Sequence, residues 1–177
     1  MIRLLLGGAK SGKSALGEQL LLAGAEPRRV LATGRARDFG FRERIEAHKR
    51  NRLPGLAVIE AGADAMEVLA REAAKGGTIL FDSLDFWLFV CHANGSLGDA
   101  LALLTMGLAP YAGSPSPEAI VVSTEIGLGP LPADAATRRF AGDLGTLNQR
   151  AAALAEDVRL VVAGLPVRLK GSHRDPQ

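Results

Sequence analysis

The chain has 177 residues, of which 47% are hydrophobic and 23% charged, and this balance predicts one globular domain with a full core. Its net charge is only +2, its basic residues are scattered apart from the run 42–52, and its aromatic residues are few, which argues against a dedicated nucleic-acid surface. No apolar run reaches the roughly 18 residues of a membrane span. The single cysteine, Cys91, excludes internal disulfides, and we expect it to be packed rather than reactive.

The N-terminal stretch joins a short apolar run at residues 2–6 to the pattern G-x-x-x-x-G-K-[ST] at residues 7–14. A strand, a glycine-rich turn and a helix in this order direct backbone N–H groups and a helix dipole at one anion. We predict a nucleoside triphosphate site, with Lys13 on the outer phosphates and Ser14 on Mg²⁺; the alternative is a chance glycine-rich turn. The predicted contacts of this loop are Gly7, Gly8, Ala9, Lys10, Ser11, Gly12, Lys13 and Ser14.

Further along the chain, apolar runs alternate with segments of helical periodicity. Strands are predicted at residues 2–6, 29–33, 57–60, 78–82, 118–123 and 158–163. Helices are predicted at residues 14–23, 39–51, 63–75, 83–92, 97–109 and 133–156. This order predicts an α/β fold of three layers, like that of phosphate-loop NTPases, in which a mostly parallel sheet is flanked by helices. Residues 1–170 would form a single nucleotide-binding domain, and residues 171–177 a disordered tail.

Asp82 ends a buried apolar strand downstream of the glycine-rich loop. A carboxylate at this position helps to hold Mg²⁺ in phosphate-loop enzymes, so Ser14 and Asp82 are the predicted metal ligands. The alternative is that Asp82 or Ser83 caps the helix that follows. Asp85, three residues on, is expected to complement the dipole of that helix.

His48 lies in a basic segment with Arg44, Lys49 and Arg52 around it. Cationic neighbours favour the neutral imidazole, which is the nucleophilic form, although a lone histidine on a polar helix is more often simply solvated. No other histidine or cysteine has the spacing of a zinc site with it. Glu125, in a glycine-rich loop, is a candidate base or ligand contact, or a solvated residue. The residues alone therefore indicate a small phosphate-loop kinase or nucleotidyltransferase with an unknown acceptor and no signal peptide, for which the cytoplasm is the expected location.

Several segments together resemble the bifunctional adenosylcobinamide kinase/adenosylcobinamide-phosphate guanylyltransferase family of cobalamin biosynthesis. The histidine segment, the T-E-I-G-x-G segment and the N-Q and L-V-V-x-G-x-P segments are more specific than the phosphate loop. In chain order the matching pieces are residues 7–14, Ala32-Thr33, Arg44-Ile45-x-x-His48, Glu60, residues 79–82, residues 124–129, Asn148-Gln149 and residues 160–166.

This resemblance implies two reactions on one corrinoid. The first phosphorylates adenosylcobinamide with ATP or GTP, and the second passes GMP from GTP through a guanylyl-histidine, implied to be His48, to adenosylcobinamide phosphate. It also implies a homotrimer. Lys13 and His48 would be catalytic, and the implied guanine-nucleotide contacts outside the loop are Thr33, Gly34, Arg35, Lys49, Arg50, Asn51, Arg52, Glu60 and Asp82.

Three segments depart from the family pattern. An acidic stretch before the histidine helix is Asp38-Phe39-Gly40-Phe41 here, the tryptophan usual near Leu56 is absent, and an F-R-D segment is Phe140-Ala141-Gly142 with Asp143 one step later. Two alternatives therefore stay open. One is a small-molecule kinase of the same fold in which His48 is a surface residue, and the other is a nucleotide-binding regulator.

Overall fold

A computed structural model describes residues 1–33, 56–92, 97–130 and 132–171. Its sheet contains seven strands in the order β3-β2-β4-β5-β1-β6-β7. Neighbouring strands are parallel, except that β7 runs antiparallel to β6. The strands are β1 (Ile2–Gly7), β2 (Arg28–Thr33), β3 (Ala57–Ala61), β4 (Thr78–Asp82), β5 (Glu118–Thr124), β6 (Asp157–Val162) and β7 (Leu165–Lys170). The described helices are α1 (Lys13–Ala23), α2 (Ala65–Glu72), α3 (Leu84–His92), α4 (Leu97–Leu108) and α5 (Ala135–Leu154).

Helix α1 covers one face of the sheet. Leu21 packs there with apolar side chains of the central strands, among them Leu5, Val30, Leu80 and Val122. A glycine in the second turn of α1 lets the helix approach closely, since a Cβ atom on Gly17 would lie 3.0 Å from Leu80 Cδ1 and 3.4 Å from Val122 Cγ2. The backbone of α1 therefore lies almost directly on the sheet.

The larger core lies on the opposite face, under α2, α3, α4 and α5. Its two largest side chains, Trp87 and Tyr111, are fully buried, and each donates a hydrogen bond to a backbone carbonyl. Trp87 Nε1 lies 3.2 Å from the oxygen of Ala63, and Tyr111 Oη lies 2.8 Å from that of Leu69. The sheet therefore lies between two layers of helices. The sequences of β4 and β5 already suggest this, because a strand that is buried on both faces has a continuous apolar run in its middle.

The predicted α/β fold with a mostly parallel sheet is confirmed. The six predicted strands are present with ends within a residue or two of those expected, but 158–163 is not the last strand: β7 follows it at the sheet edge. The predicted helix 63–75 ends at Glu72 and continues as a short 3₁₀ turn, Ala73–Lys75. The predicted helix 39–51 and residues 172–177 of the predicted tail lie outside the described residues. None of the described helices combines the length and apolar character that a bilayer crossing requires.

Substitution of Gly17 tests how strongly the fold depends on this close approach. We expect Gly17→Leu to lower the free energy of unfolding by about 1–3 kcal/mol, because the added side chain overpacks the interface with Leu80 and Val122. The matched control is Gly145→Ala in α5, where a Cβ atom meets nothing within 4 Å. That change should raise stability by up to about 1 kcal/mol. Denaturant unfolding of both variants measures this, and an unchanged midpoint for Gly17→Leu would contradict it.

Candidate active site

The glycine-rich loop connects β1 directly to α1. Gly12 takes a left-handed conformation, with φ of 98°, and its carbonyl accepts the first bond of the helix from the N–H of Leu16, at 3.0 Å. Lys13 is 8% exposed, and its Nζ donates to the carbonyl oxygen of Gly8 at 3.0 Å. The ammonium group is therefore held over the loop, where the first N–H groups of α1 also point.

Backbone hydrogen bonds hold this loop from both neighbouring strands. The N–H of Glu125, just after β5, donates to the carbonyl of Gly7 at 3.1 Å, and the N–H of Gly164, between β6 and β7, donates to that of Ser11 at 2.8 Å. The chains approach so closely that a Cβ on Gly7 would lie 2.7 Å from the oxygen of Val161. Only glycine fits that position without a shift of the backbone.

Asp82 lies at the carboxyl end of β4 and is partly buried. It is in register with Ala32 of β2 and Val122 of β5, and residues in register across parallel strands share a face of the sheet. Because Val122 lies against α1 at Gly17, the carboxylate of Asp82 faces the side of the sheet on which α1 lies, with Ser14 in its first turn. Glu60 of β3 is in register with Ala32, so its side chain lies on the same face of the sheet, and the residue is exposed.

Ser14 and Asp82 suit Mg²⁺, which binds one or two protein oxygens and takes its remaining ligands from phosphates and water. The described ranges contain no group of three or more His, Cys, Asp or Glu side chains that could hold a metal ion, and the role of Ser14 and Asp82 as metal ligands stays a prediction. The first backbone bond of α3 runs from the N–H of Trp87 to the carbonyl of Ser83 at 3.1 Å. Ser83 thus occupies the capping position, which weakens the alternative role of Asp82 as a cap.

Thr33 ties the end of β2 to the segment after Asp82. The residue as a whole is buried, with 2% of its surface exposed. The hydroxyl donates to the carbonyl of Ser83 at 2.6 Å and accepts from the N–H of Ser83 at 2.8 Å. Thr33 therefore positions the strand ends. Its role as a nucleotide contact stays a prediction.

A polar cluster that the sequence did not reveal lies at the carboxyl end of β5. Thr124 is in register with Gly7, and its hydroxyl donates to Asp85 Oδ2 at 2.9 Å. Asn148 of α5 donates from Nδ2 to the carbonyl of Thr124 at 3.0 Å and accepts from the hydroxyl of Ser123 at 2.6 Å. Asp85 does lie in the first turn of α3, as expected, but its main contact is tertiary. We call Asp85, Ser123, Thr124 and Asn148 the Thr124 cluster.

The structure shows the surroundings of two further residues, Glu125 and Cys91. Glu125 Oε1 accepts from the N–H of Gly127 at 2.8 Å, which shapes the loop after β5, and its role as a base or ligand contact stays a prediction. Cys91 is buried as expected, and burial raises the pKa of its thiol to about 11. It therefore carries almost no thiolate at neutral pH. His48 and the predicted contacts Gly34, Arg35, Lys49, Arg50, Asn51 and Arg52 lie outside the described residues.

Comparisons with known proteins extend over nearly the whole chain. The family described as cobinamide kinase / cobinamide phosphate guanyltransferase matches residues 3–169. The bifunctional adenosylcobalamin biosynthesis protein CobP of Pseudomonas aeruginosa is 36% identical over 171 residues, which cover 95% of this chain and 96% of the relative. The protein of Salmonella typhimurium named bifunctional adenosylcobalamin biosynthesis protein CobU is 27% identical over 188 residues, covering 96% of this chain and 100% of the relative.

Two solved structures are similar in fold alone. The P4 protein of bacteriophage phi6 in complex with ADP has a TM-score of 0.51 at 17% identity; the match covers 93% of this chain and 52% of the phage chain. A protein of Pyrococcus horikoshii has a TM-score of 0.59 at 10% identity, with 98% of this chain and 87% of that chain covered.

The placement of Asp82 predicts how turnover depends on magnesium. Asp82→Asn removes one negative charge beside the predicted cation, so we expect the Mg²⁺ concentration for half-maximal nucleotide turnover to rise about tenfold or more. The control is Asp99→Asn in the first turn of α4, which removes an exposed carboxylate elsewhere. A Mg²⁺ titration of both proteins is the measurement, and coincident curves for Asp82→Asn and the unaltered protein would refute the assignment.

Proposed function

This chain belongs to the cobinamide kinase / cobinamide phosphate guanyltransferase family, and we propose that it performs both reactions at the loop between β1 and α1. It phosphorylates adenosylcobinamide with ATP or GTP. It then transfers GMP from GTP, through a guanylyl-histidine, to adenosylcobinamide phosphate, which yields adenosylcobinamide-GDP in nucleotide loop assembly. The observation that carries this proposal is the shared position of Lys13, Ser14 and Asp82 on the α1 side of the sheet, in a chain that matches the family from residue 3 to residue 169.

In the kinase step the protein binds and orients the two substrates and neutralises the charge of the phosphates. The substrate hydroxyl attacks the γ-phosphorus, the new P–O bond forms as the bond to the β-phosphate oxygen breaks, and the hydroxyl proton is lost. Backbone N–H groups of the loop and Lys13 stabilise negative charge on the phosphates. Ser14 and Asp82 would hold Mg²⁺, which supplies further positive charge to the phosphate oxygens.

In the guanylyl step His48 supplies the nucleophile. Its neutral imidazole attacks the α-phosphorus of GTP, a P–N bond forms and pyrophosphate leaves. A phosphate oxygen of adenosylcobinamide phosphate then attacks the same phosphorus, the P–N bond breaks and the imidazole is restored. Arg44, Lys49 and Arg52 favour the neutral ring, because a nearby positive charge disfavours protonation.

The remaining expectations complete this proposal. Thr33, Gly34, Arg35, Glu60 and residues 49–52 contact the guanine nucleotide, residues 1–170 act as one domain, and the enzyme works as a homotrimer in the cytoplasm.

A kinase that lacks the guanylyl step is the second candidate, and the departures at residues 38–41, Leu56 and residues 140–143 favour it. Incubation with α-labelled GTP separates the two, because only the bifunctional enzyme acquires an acid-labile, hydroxylamine-sensitive label.

Lys13→Ala tests the phosphate loop in both reactions. We expect kinase turnover and GMP transfer each to fall by at least about 100-fold, since one contact of this kind that stabilises developing charge is typically worth that factor. Lys170→Ala is the matched control, because Lys170 is an exposed lysine at the end of β7, outside the loop. Steady-state assays of the two products give the answer, and near-normal kinase turnover in Lys13→Ala would overturn the assignment.

His48→Ala tests whether the two reactions use different nucleophiles. The kinase step uses the hydroxyl of its substrate, so we expect cobinamide phosphorylation to remain largely intact. Self-guanylylation and GMP transfer should be abolished, because the side chain that forms the P–N bond is missing. Both products are assayed from one preparation. Persistent GMP transfer would show that another residue is the nucleophile, and loss of both activities would point to a shared binding role for His48.

A further inference from the structure

A group of aromatic and polar side chains, exposed at Phe89 and partly buried elsewhere, joins α3 to the first half of α5. Phe89 is 60% exposed, and its ring packs edge-on against that of Phe140, with the centroids 6.3 Å apart. His92 contacts the same ring at 5.6 Å, and its Nε2 lies 3.0 Å from Asp143 Oδ2. We call Phe89, His92, Phe140 and Asp143 the aromatic ridge.

The Thr124 cluster anchors this ridge beside the phosphate loop. Asp85 contacts Thr124, and Phe89 lies one turn further along the same face of α3, about 6 Å away at 1.5 Å per residue. Asn148 contacts the carbonyl of Thr124, and residues 135–147 of α5, roughly 20 Å of helix, precede this contact. Since Thr124 is the register partner of Gly7, the ridge rises above the edge where the loop begins.

The ridge has the chemistry of a site for a large, flat and partly apolar molecule. A half-exposed phenylalanine offers apolar area that is still in contact with water. The adjacent His92 and Asp143 pair offers a hydrogen-bond donor and acceptor for polar groups at the rim of such a molecule. The ridge lies on the sheet face opposite α1, so it does not compete with the nucleotide that the loop, Ser14 and Asp82 would bind.

We propose that the aromatic ridge binds the corrin ring of both acceptor substrates. This inference rests on the proposed function, which requires a corrinoid whose reacting group reaches the phosphate loop while its ring lies some distance away. The corrin ring stacks on the exposed ring of Phe89, which Phe140 supports edge-on, its amide periphery hydrogen-bonds to the His92–Asp143 pair, and its side arm extends past Thr124 to the loop. The same surface serves both steps, because cobinamide and cobinamide phosphate differ only at the end of that arm.

Phe89→Ala in the full-length protein tests the proposal. We expect the KM for cobinamide and the KM for cobinamide phosphate each to rise about tenfold, from the apolar contact that is lost. Self-guanylylation by GTP involves no corrinoid, so its rate should be unchanged. Phe89→Trp should restore most of the affinity because it keeps an aromatic face. The control is Met106→Ala in α4, which removes another exposed apolar side chain away from the ridge and should leave both KM values unaltered.

The outcomes distinguish corrinoid binding at the ridge from a subunit contact and from general damage to the protein. Unchanged KM values in Phe89→Ala would overturn the proposal, whereas inactivity of the unaltered protein toward cobinamide would overturn the proposed function instead. A lower oligomeric mass of Phe89→Ala in sedimentation, with unchanged KM values, would assign the ridge to contact with a second copy of the chain. Equal loss of self-guanylylation and kinase activity would indicate general damage to the loop and would likewise count against the ridge.

Discussion

The site depends on two backbone hydrogen bonds that reach the glycine-rich loop from opposite sides. Glu125 provides one from the end of β5, and Gly164 provides the other from the turn before β7. Because both are bonds between main-chain atoms, they fix the path of the loop whatever side chains it carries, and its N–H groups are oriented before any anion arrives. These bonds require the loop and its neighbouring segments to approach closely, because at Gly7 and at Gly12 a side chain would meet the backbone of the neighbouring segment.

Helices on both faces of the sheet contribute residues at its carboxyl edge. On one face Gly17 brings α1 down onto Leu80 and Val122, which places the start of that helix on the same side as Asp82. At the carboxyl end of β5 the Thr124 cluster joins this strand to α3 and α5, the helices that cover the other face, by hydrogen bonds among buried or partly buried groups. Such groups are costly to leave unsatisfied, so the cluster holds the two helices in one arrangement relative to the loop.

Sequence patterns predicted the glycine-rich loop and the buried strands, because short-range constraints determine both. The loop at residues 7–14 has fixed glycines because of its backbone conformation, and β4 and β5 are continuous apolar runs because both of their faces are buried. Strand β7 escaped prediction because its side chains are largely exposed and Pro166 interrupts the strand pattern, as an edge position allows. The contact between Asp85 and Thr124 joins residues 39 positions apart, and no periodicity encodes such a pairing. Asp85 by itself suggests only a favourable charge at a helix N-terminus.

One loop can serve two reactions because its contacts do not distinguish which phosphorus is attacked. In the proposed mechanism, backbone N–H groups and Lys13 would bind a polyphosphate in the same way whether the γ- or the α-phosphorus reacts. The choice of reaction must then come from where each nucleophile enters. Strands β2 and β3, between which His48 lies in the sequence, are on the outer side of β4. The aromatic ridge follows β4 and β5, nearer to β1. The order β3-β2-β4-β5-β1 therefore puts the two strands that flank His48 in the chain and the aromatic ridge at different places along the sheet. In the proposed mechanism the nucleophile and the corrinoid approach the polyphosphate from these two places, so neither crosses the path of the other.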